Sequence, residues 1–478
     1  MKILFATAEA VPFAKTGGLG DVAYALPKAL KALGHEVGVI MPYYRDIPQA
    51  LKQDMVFTRH FDIDLSWRSQ YVGIFTQTIE GIDFYFVDNE YYFKRDGFYG
   101  YFDDGERFSY FSKAVVEWVK DLGEKPEIIH CNDWHTGMIP LFVDRERHEG
   151  GRLEGVRTLF TIHNLKYQGI FPHQMMGDIL GLEDEYFTYD QVEFEGNVNF
   201  LKAGVVFADH VTTVSPTYAE EIKTPYYGEG LDPLMRHVED KLTGIVNGID
   251  IGLFNPSRDR HLFVNYSYRS LEKRPENKRY LQRLLHLKED KDIPLLAMVT
   301  RLVDAKGLDL LLHIFDELMQ EEVQLVILGT GDKVYEDRLR AYNSYYSDKF
   351  SANVFFDHEL SQRIYGAADL FLMPSKYEPC GIGQLIAMRY GALPVVRKTG
   401  GLKDTVEPYN KFTREGTGFA FLNYNAHELL FTIKGAVEVY REEREVWETL
   451  VQRSMKKRLS WKASALKYVA LYESLQKR

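Results

Sequence analysis

Short apolar runs that each stop at polar residues, with helically spaced segments between them, restrict this chain to folds built around buried parallel sheets. The first half carries KILFAT at 2–7, EVGVIMP at 36–42, EIIHCND at 127–133, RTLFTIHN at 157–164 and DHVTTVSP at 209–216. Between them stand DVAYALPKALKALGH at 21–35 and GERFSYFSKAVVEWVKDLG at 105–123, whose Ala, Leu and aromatic spacing is helical. Continuous apolar strands read as buried on both faces, and polar residues at their carboxyl ends are where such sheets hold ligands. Residues 57–89 alternate instead around the turn Glu80-Gly81 and read as a mixed insertion.

The pattern stops near GIVNGID at 244–250, crosses a polar, basic stretch at 257–291, and restarts with PLLAMVTR at 294–301. QLVILGTG, ANVFFD, LFLMPS and LPVVRKT continue it, with GIGQLIAMRYG among the helical segments between them. Two doubly wound, Rossmann-like α/β domains follow, one at 1–245 and one at 246–460, with a helical tail at 461–478 expected to pack back on the first. A length of 478 residues also exceeds what one core usually organises.

A formal net charge of −11 argues against a hold on a nucleic-acid backbone, which needs clustered Lys and Arg. No stretch approaches the ~18 apolar residues of a membrane span, and the amino-terminal apolar run is too short for a signal peptide. Cys131 and Cys380 are the only cysteines, too few for a disulfide framework. These readings predict a cytoplasmic protein with neither nucleic acid nor membrane as partner. The 31 Tyr and 30 Phe are numerous. Their faces suit sugar rings, although core packing accounts for most of them.

The pentapeptide KTGGL occurs twice, at Lys15–Leu19 between the first strand and first helix, and at Lys398–Leu402 after LPVV. Glycines there let backbone N–H groups approach a phosphate while a Lys or a helix N-terminus supplies positive charge. Neither copy is a Walker A loop, and the first βα turn lacks the G-x-G-x-x-G of a dinucleotide-binding oxidoreductase. In RLVDAKG, Arg301 and Lys306 follow a strand's carboxyl end and can neutralise a leaving diphosphate without a metal. Glu378 lies on the loop after LFLMPS, three residues before Gly381, where a carboxylate can meet sugar hydroxyls and offset an oxocarbenium-like charge. Cys380 is a small residue beside it. Asp133, His135, His163 and Asn164 close two strands of the first half, a set suited to hydroxyl recognition and without convincing metal-ligand spacing.

Together KTGGLGDV, DWHTG, TIHN, VNGID, TRLVDAKG and EPCGIGQLIAMRYGALPVVRKTGGL resemble the glycogen and starch synthase family in its bacterial, ADP-glucose-using branch, in order and across nearly the whole chain. The resemblance implies a glycosyltransferase B-type fold, two domains facing a central cleft. It also implies retaining transfer of glucose from ADP-glucose to the non-reducing end of an α-1,4-glucan, with no cofactor and no metal. It assigns Lys15, Gly18, Arg301, Lys306, Cys380, Gly381, Thr399, Gly400, Gly401 and Asn164 to the donor, and Glu378 and His163 to catalysis. Asp133 falls near the donor sugar or acceptor, and Phe356 at the base as an aromatic platform. The acceptor aromatic lies within Tyr91, Tyr92 and Phe93, which reading alone does not separate; Tyr92 and Phe93 are the expected pair. The second Glu that related transferases carry seven or eight positions on is absent: Leu385 and Ile386 stand there, with Gln384 the nearest polar residue.

The competing readings are a UDP-glucose-dependent transferase with a small acceptor and a catalytically silent glucan-binding protein. Retention of Lys15, Arg301, Lys306 and Glu378 argues against the second.

Overall fold

The computed structural model describes residues 1–477; Arg478, the end of the expected C-terminal segment, lies outside them. The chain forms two compact units, Met1–Asn247 joined by the returning C-terminal helix, and Gly248–Ser460. The change of unit thus falls two residues beyond the boundary expected at 245.

The first unit is built on nine strands: β1 (Lys2–Ala6), β2 (Glu36–Pro42), β3 (Val56–Leu65), β4 (Arg68–Ile79), β5 (Ile82–Asp88), β6 (Ile128–Asn132) and β7 (Arg157–Ile162), then β11 (His210–Thr213) and β12 (Leu242–Gly244). A separate three-stranded sheet comprises β8 (Ile170–Pro172), β9 (Glu193–Phe194) and β10 (Asn197–Asn199). The large sheet runs β12-β11-β7-β6-β1-β2-β5-β4-β3. Its neighbours are parallel from β12 to β5, and β4 and β3 extend it as an antiparallel hairpin. The stretch read as an insertion is therefore part of the main sheet, with β5 pairing in parallel with β2. Apolar residues of β1, β2, β6 and β7 fill a core with Val22, Leu26 and Leu30 of helix Gly18–Ala32. Helix Trp461–Gln476 belongs to the same core through Trp461, Ala465, Tyr468, Tyr472 and Leu475.

The second unit has six parallel strands, β13 (Leu295–Val299), β14 (Gln324–Leu328), β15 (Phe350–Asn353), β16 (Leu370–Met373), β17 (Leu393–Arg397) and β18 (Phe419–Phe421), in the order β15-β14-β13-β16-β17-β18. β14 and β17 are buried along their whole length, as strands covered by helices on both faces must be. In each unit the order reverses beside the first strand, between β1 and β6 and between β13 and β16. The loops leaving the carboxyl ends of such a pair diverge to opposite faces of the sheet and open a crevice where ligands bind.

Candidate active site

In the first unit the loops that follow β1, β6 and β7 carry the expected residues. Gly17 stands at the N-terminus of helix Gly18–Ala32 with no side-chain cap, and a Cβ placed on it would meet nothing within 4 Å. The first N–H groups of that helix therefore have no cap supplied by Gly17 and no intrahelical partner. Lys15 is exposed, its Nζ 2.7 Å from Asp21 Oδ1. Beneath this loop lies Glu9, which sequence reading passed over: its buried carboxylate accepts from the backbone N–H and the hydroxyl of Thr16, each at 2.6 Å, and from the Tyr99 phenol.

After β6, Asp133 takes a positive φ of 56° and accepts from the His163 N–H at 2.8 Å. Burial lifts its carboxyl from an ordinary 3.8 to about 7, against the opposing pull of the His163 and Asn164 amides. His163, after β7, places Nε2 2.9 Å from Asn132 Oδ1, while the Asn132 amide nitrogen donates to Ala6 O and His130 O. Asn132 thus offers the imidazole only an acceptor, which puts the ring proton on Nε2 and leaves Nδ1 as a lone-pair acceptor. Burial holds the His163 pKa near 3, so the ring is neutral. His135 is buried among Trp134, Tyr99 and Phe108 and is likewise kept neutral by burial.

The aromatic run required a correction. Asn89 caps the short helix Glu90–Phe93 by accepting from the Tyr91 and Tyr92 amides, and that turn points Tyr92 and Phe93 inward. Both are fully buried, and Tyr92 OH donates to Glu106 at 2.7 Å. They are core residues, against the expectation that they face an acceptor; Tyr91, 66% exposed, is the member of the run that stands on the surface.

In the second unit the loops after β13, β16 and β17 hold the other group. Glu378 is buried, and its Oε2 accepts from Lys306 Nζ at 2.6 Å and Ser375 Oγ at 3.0 Å. Lys306 ends the turn after β13 and Ser375 the one after β16, so the carboxylate sits where the strand order reverses. Arg301 is exposed on the same β13 loop. Gly381 has φ 75°, and helix Gly383–Tyr390 behind it has no side-chain cap. The second glycine pair is required by packing: a Cβ on Gly400 would lie 2.0 Å from Glu378 O, and one on Gly401 2.1 Å from Cys380 O. The Gly401 amide donates to Glu378 O at 3.1 Å, clasping the two loops. Thr399 is the N-cap of helix Gly400–Thr405. Gln384 is fully buried and donates to Cys380 O, Gly381 O and Thr405 Oγ1, so it stitches this loop instead of standing in for a second carboxylate. Phe356, just past β15, is 73% exposed.

Ser375 and Asn132 were also missed. Asn132 meets His163 from 31 positions away, and no local pattern carries that contact; Ser375 stands only three residues before Glu378, but nothing in the local sequence marks it as the partner of that carboxylate. Among the described residues no group of three or more His, Cys, Asp or Glu side chains could hold a metal ion. Among the described residues no helix is long and apolar enough to cross a membrane.

A family model for the starch synthase catalytic domain matches residues 2–237, and one for glycosyl transferases group 1 matches 286–449. A glycogen synthase of Clostridium novyi (strain NT) is 51% identical over 477 residues, 99% of each chain. One of Clostridioides difficile (strain 630) is 51% identical over 482 residues, covering 99% of this chain and all of the relative. Among solved structures, the catalytic domain of starch synthase IV from Arabidopsis thaliana, bound to ADP and acarbose, superposes with a TM-score of 0.93 at 34% identity, covering 100% of this chain and 99% of the other. A sucrose-phosphate synthase from Thermosynechococcus elongatus, at 19% identity, TM-score 0.64 and coverage of 99% and 98%, shares the fold alone.

Proposed function

The chain belongs to the glycogen and starch synthase family of glycosyltransferases with the GT-B fold, and from that premise we propose that it transfers glucose, with retained configuration, from ADP-glucose to the non-reducing end of an α-1,4-glucan. The observation that carries the reading is Glu378, buried at the β13/β16 reversal and held by Lys306 and Ser375, in a chain half identical to glycogen synthases over its full length. ADP in the starch synthase IV structure supports the adenine nucleotide, and acarbose supports a glucan acceptor.

In this reading Arg301 and Lys306 neutralise the leaving diphosphate, aided by the N-terminus of helix Gly383–Tyr390, so that no metal and no cofactor is needed. Lys15, Gly18 and Asn164 also serve the donor. Cys380, Gly381 and the Thr399–Gly401 loop shape the pocket around Glu378. Both hydrogen bonds to Glu378 fall on Oε2, which leaves Oε1 to face the sugar and stabilise positive charge as the glycosidic bond to phosphate breaks. The acceptor hydroxyl attacks from the face the diphosphate is leaving, and the departing phosphate oxygen takes its proton, which preserves configuration without a second carboxylate. The neutral His163 accepts a glucose hydroxyl on Nδ1, Asp133 orients it through the backbone amide, and Phe356 stacks on the base. The partners are then ADP-glucose and glycogen or a maltooligosaccharide, with neither nucleic acid nor membrane, in the cytoplasm.

Glucose incorporation into glycogen is expected to be well above background with ADP-glucose and much weaker with UDP-glucose. The reverse ranking would remove the donor assignment.

A further inference from the structure

We propose that Glu9 and Tyr99 form a latch that sets the Lys15–Gly18 loop, making Tyr99 a positioning residue for the donor; the inference rests on assigning that loop to donor phosphates. A carboxylate buried under an anion-binding loop is an unfavourable choice unless its charge is fully occupied. Glu9 is occupied by the Thr16 amide and hydroxyl at 2.6 Å each, the Gly17 amide at 3.4 Å and the Tyr99 phenol. It therefore uses up the Thr16 and Gly17 donors and leaves the N–H groups from Gly18 onward for a ligand. Tyr99 OH also meets Thr16 Oγ1, closing a three-membered network between segments 83 residues apart.

Tyr99 is itself rigidly presented. On one side, the fully buried Arg107 donates to Phe98 O at 3.0 Å and to Tyr92 O at 2.8 Å. On the other, Asp104, ion-paired to Arg107, accepts from the Gly100 amide at 2.6 Å and the Tyr101 amide at 3.1 Å. The ring packs on His135, with centroids 4.7 Å apart. Burial and the neighbouring Glu9 charge push the phenol well above its ordinary range, so it remains a donor to the carboxylate. The loop that follows helix Glu90–Phe93 is in this way tied to the glycine loop through one hydroxyl.

Tyr99→Phe keeps the ring against His135 and removes only that hydroxyl, while Glu9→Gln keeps the shape and removes the charge. With the full-length protein, ADP titrated calorimetrically into Tyr99→Phe is expected to bind about fivefold more weakly than into wild type, the order of loss expected for one ordinary hydrogen bond. The KM for ADP-glucose should rise by a similar factor while the KM for glycogen stays within about twofold, and Glu9→Gln should move in the same direction. An ADP affinity in Tyr99→Phe equal to wild type overturns the proposal, whatever Glu9→Gln does. So does a parallel rise in both KM values, which would mark general loosening. If wild type prefers UDP to ADP, the donor assignment fails separately, and the Tyr99→Phe ratio is then read with UDP.

Discussion

The Glu378 side chain is only 8% exposed, a burial that a carboxylate tolerates because Lys306 and Ser375 donate to the same oxygen. Neutralising it should uncouple chemistry from binding. In Glu378→Gln the amide oxygen can still accept from Lys306, so the fold persists, but the negative charge near the forming oxocarbenium is gone. Turnover is expected to fall by roughly 10²–10³, the range seen when one preorganised electrostatic group is removed. ADP affinity should be unchanged or tighter, because Lys306 is released from its ion pair to meet phosphate. Steady-state kcat together with ADP titration checks both, and unchanged turnover would remove Glu378 from the catalytic role. Asp133 illustrates the opposite way of handling a buried carboxyl: it has amide donors but no cation, and burial raises its pKa to about 7. Its contribution to stability is accordingly greatest below its unfolded value of 3.8 and is lost as pH rises toward 7.

At the scale of elements, the two KTGGL loops share letters without sharing reasons. Gly400 and Gly401 are imposed by the protein's own backbone, since a Cβ on either would lie about 2 Å from a carbonyl oxygen of the Glu378–Cys380 segment. Gly17 is imposed by nothing in the protein: its φ is an ordinary −154° and its missing Cβ would point into open space. Gly401→Ala should therefore force the two loops apart, lowering stability by about 1–3 kcal/mol and weakening ADP. Gly17→Ala should unfold at the wild-type temperature yet raise the KM for ADP-glucose, because only the ligand needs that space. Thermal unfolding and donor kinetics on the pair test this; equal losses of stability would refute the distinction. The repeat itself was legible, as were the strand ends that carry Arg301, Lys306 and Glu378, because apolar runs ending in polar residues are a local signal. The difference between the copies was not legible, because it depends on what lies across from each loop. The same limit misassigned Tyr92 and Phe93: reading could not tell which side of a single helical turn faces the core.

At the scale of the whole molecule, alternation along the chain announced two parallel-sheet units, and each has its own large core. The antiparallel hairpin of β3 and β4 was less legible, because alternating strands state that one face is half-exposed but not which sheet they join. The return of the last helix to the first unit is the longest-range feature of the fold, and its attachment is partly polar. His130, fully buried in β6, places Nδ1 2.7 Å from Tyr472 OH and Nε2 2.6 Å from Thr161 Oγ1. Burial depresses the His130 pKa well below the ordinary range, so a neutral ring with both nitrogens engaged is what the core accommodates. Tyr472→Phe retains the packing of the ring on Tyr468 and the sheet but strands Nδ1 in an apolar interior, a loss of about 1–3 kcal/mol. For a unit of this size that corresponds to a fall in Tm of roughly 2–10 °C. ADP affinity should not change, since neither residue touches the loops assigned to the donor. Calorimetric unfolding of the full chain checks the first expectation and ADP titration the second. A Tm within about 1 °C of wild type would mean that the Tyr472 hydroxyl adds nothing to the attachment, which Trp461, Ala465 and Leu475 would then carry together with the Ser464 and Gln476 hydrogen bonds to Val246 O and Glu127 O.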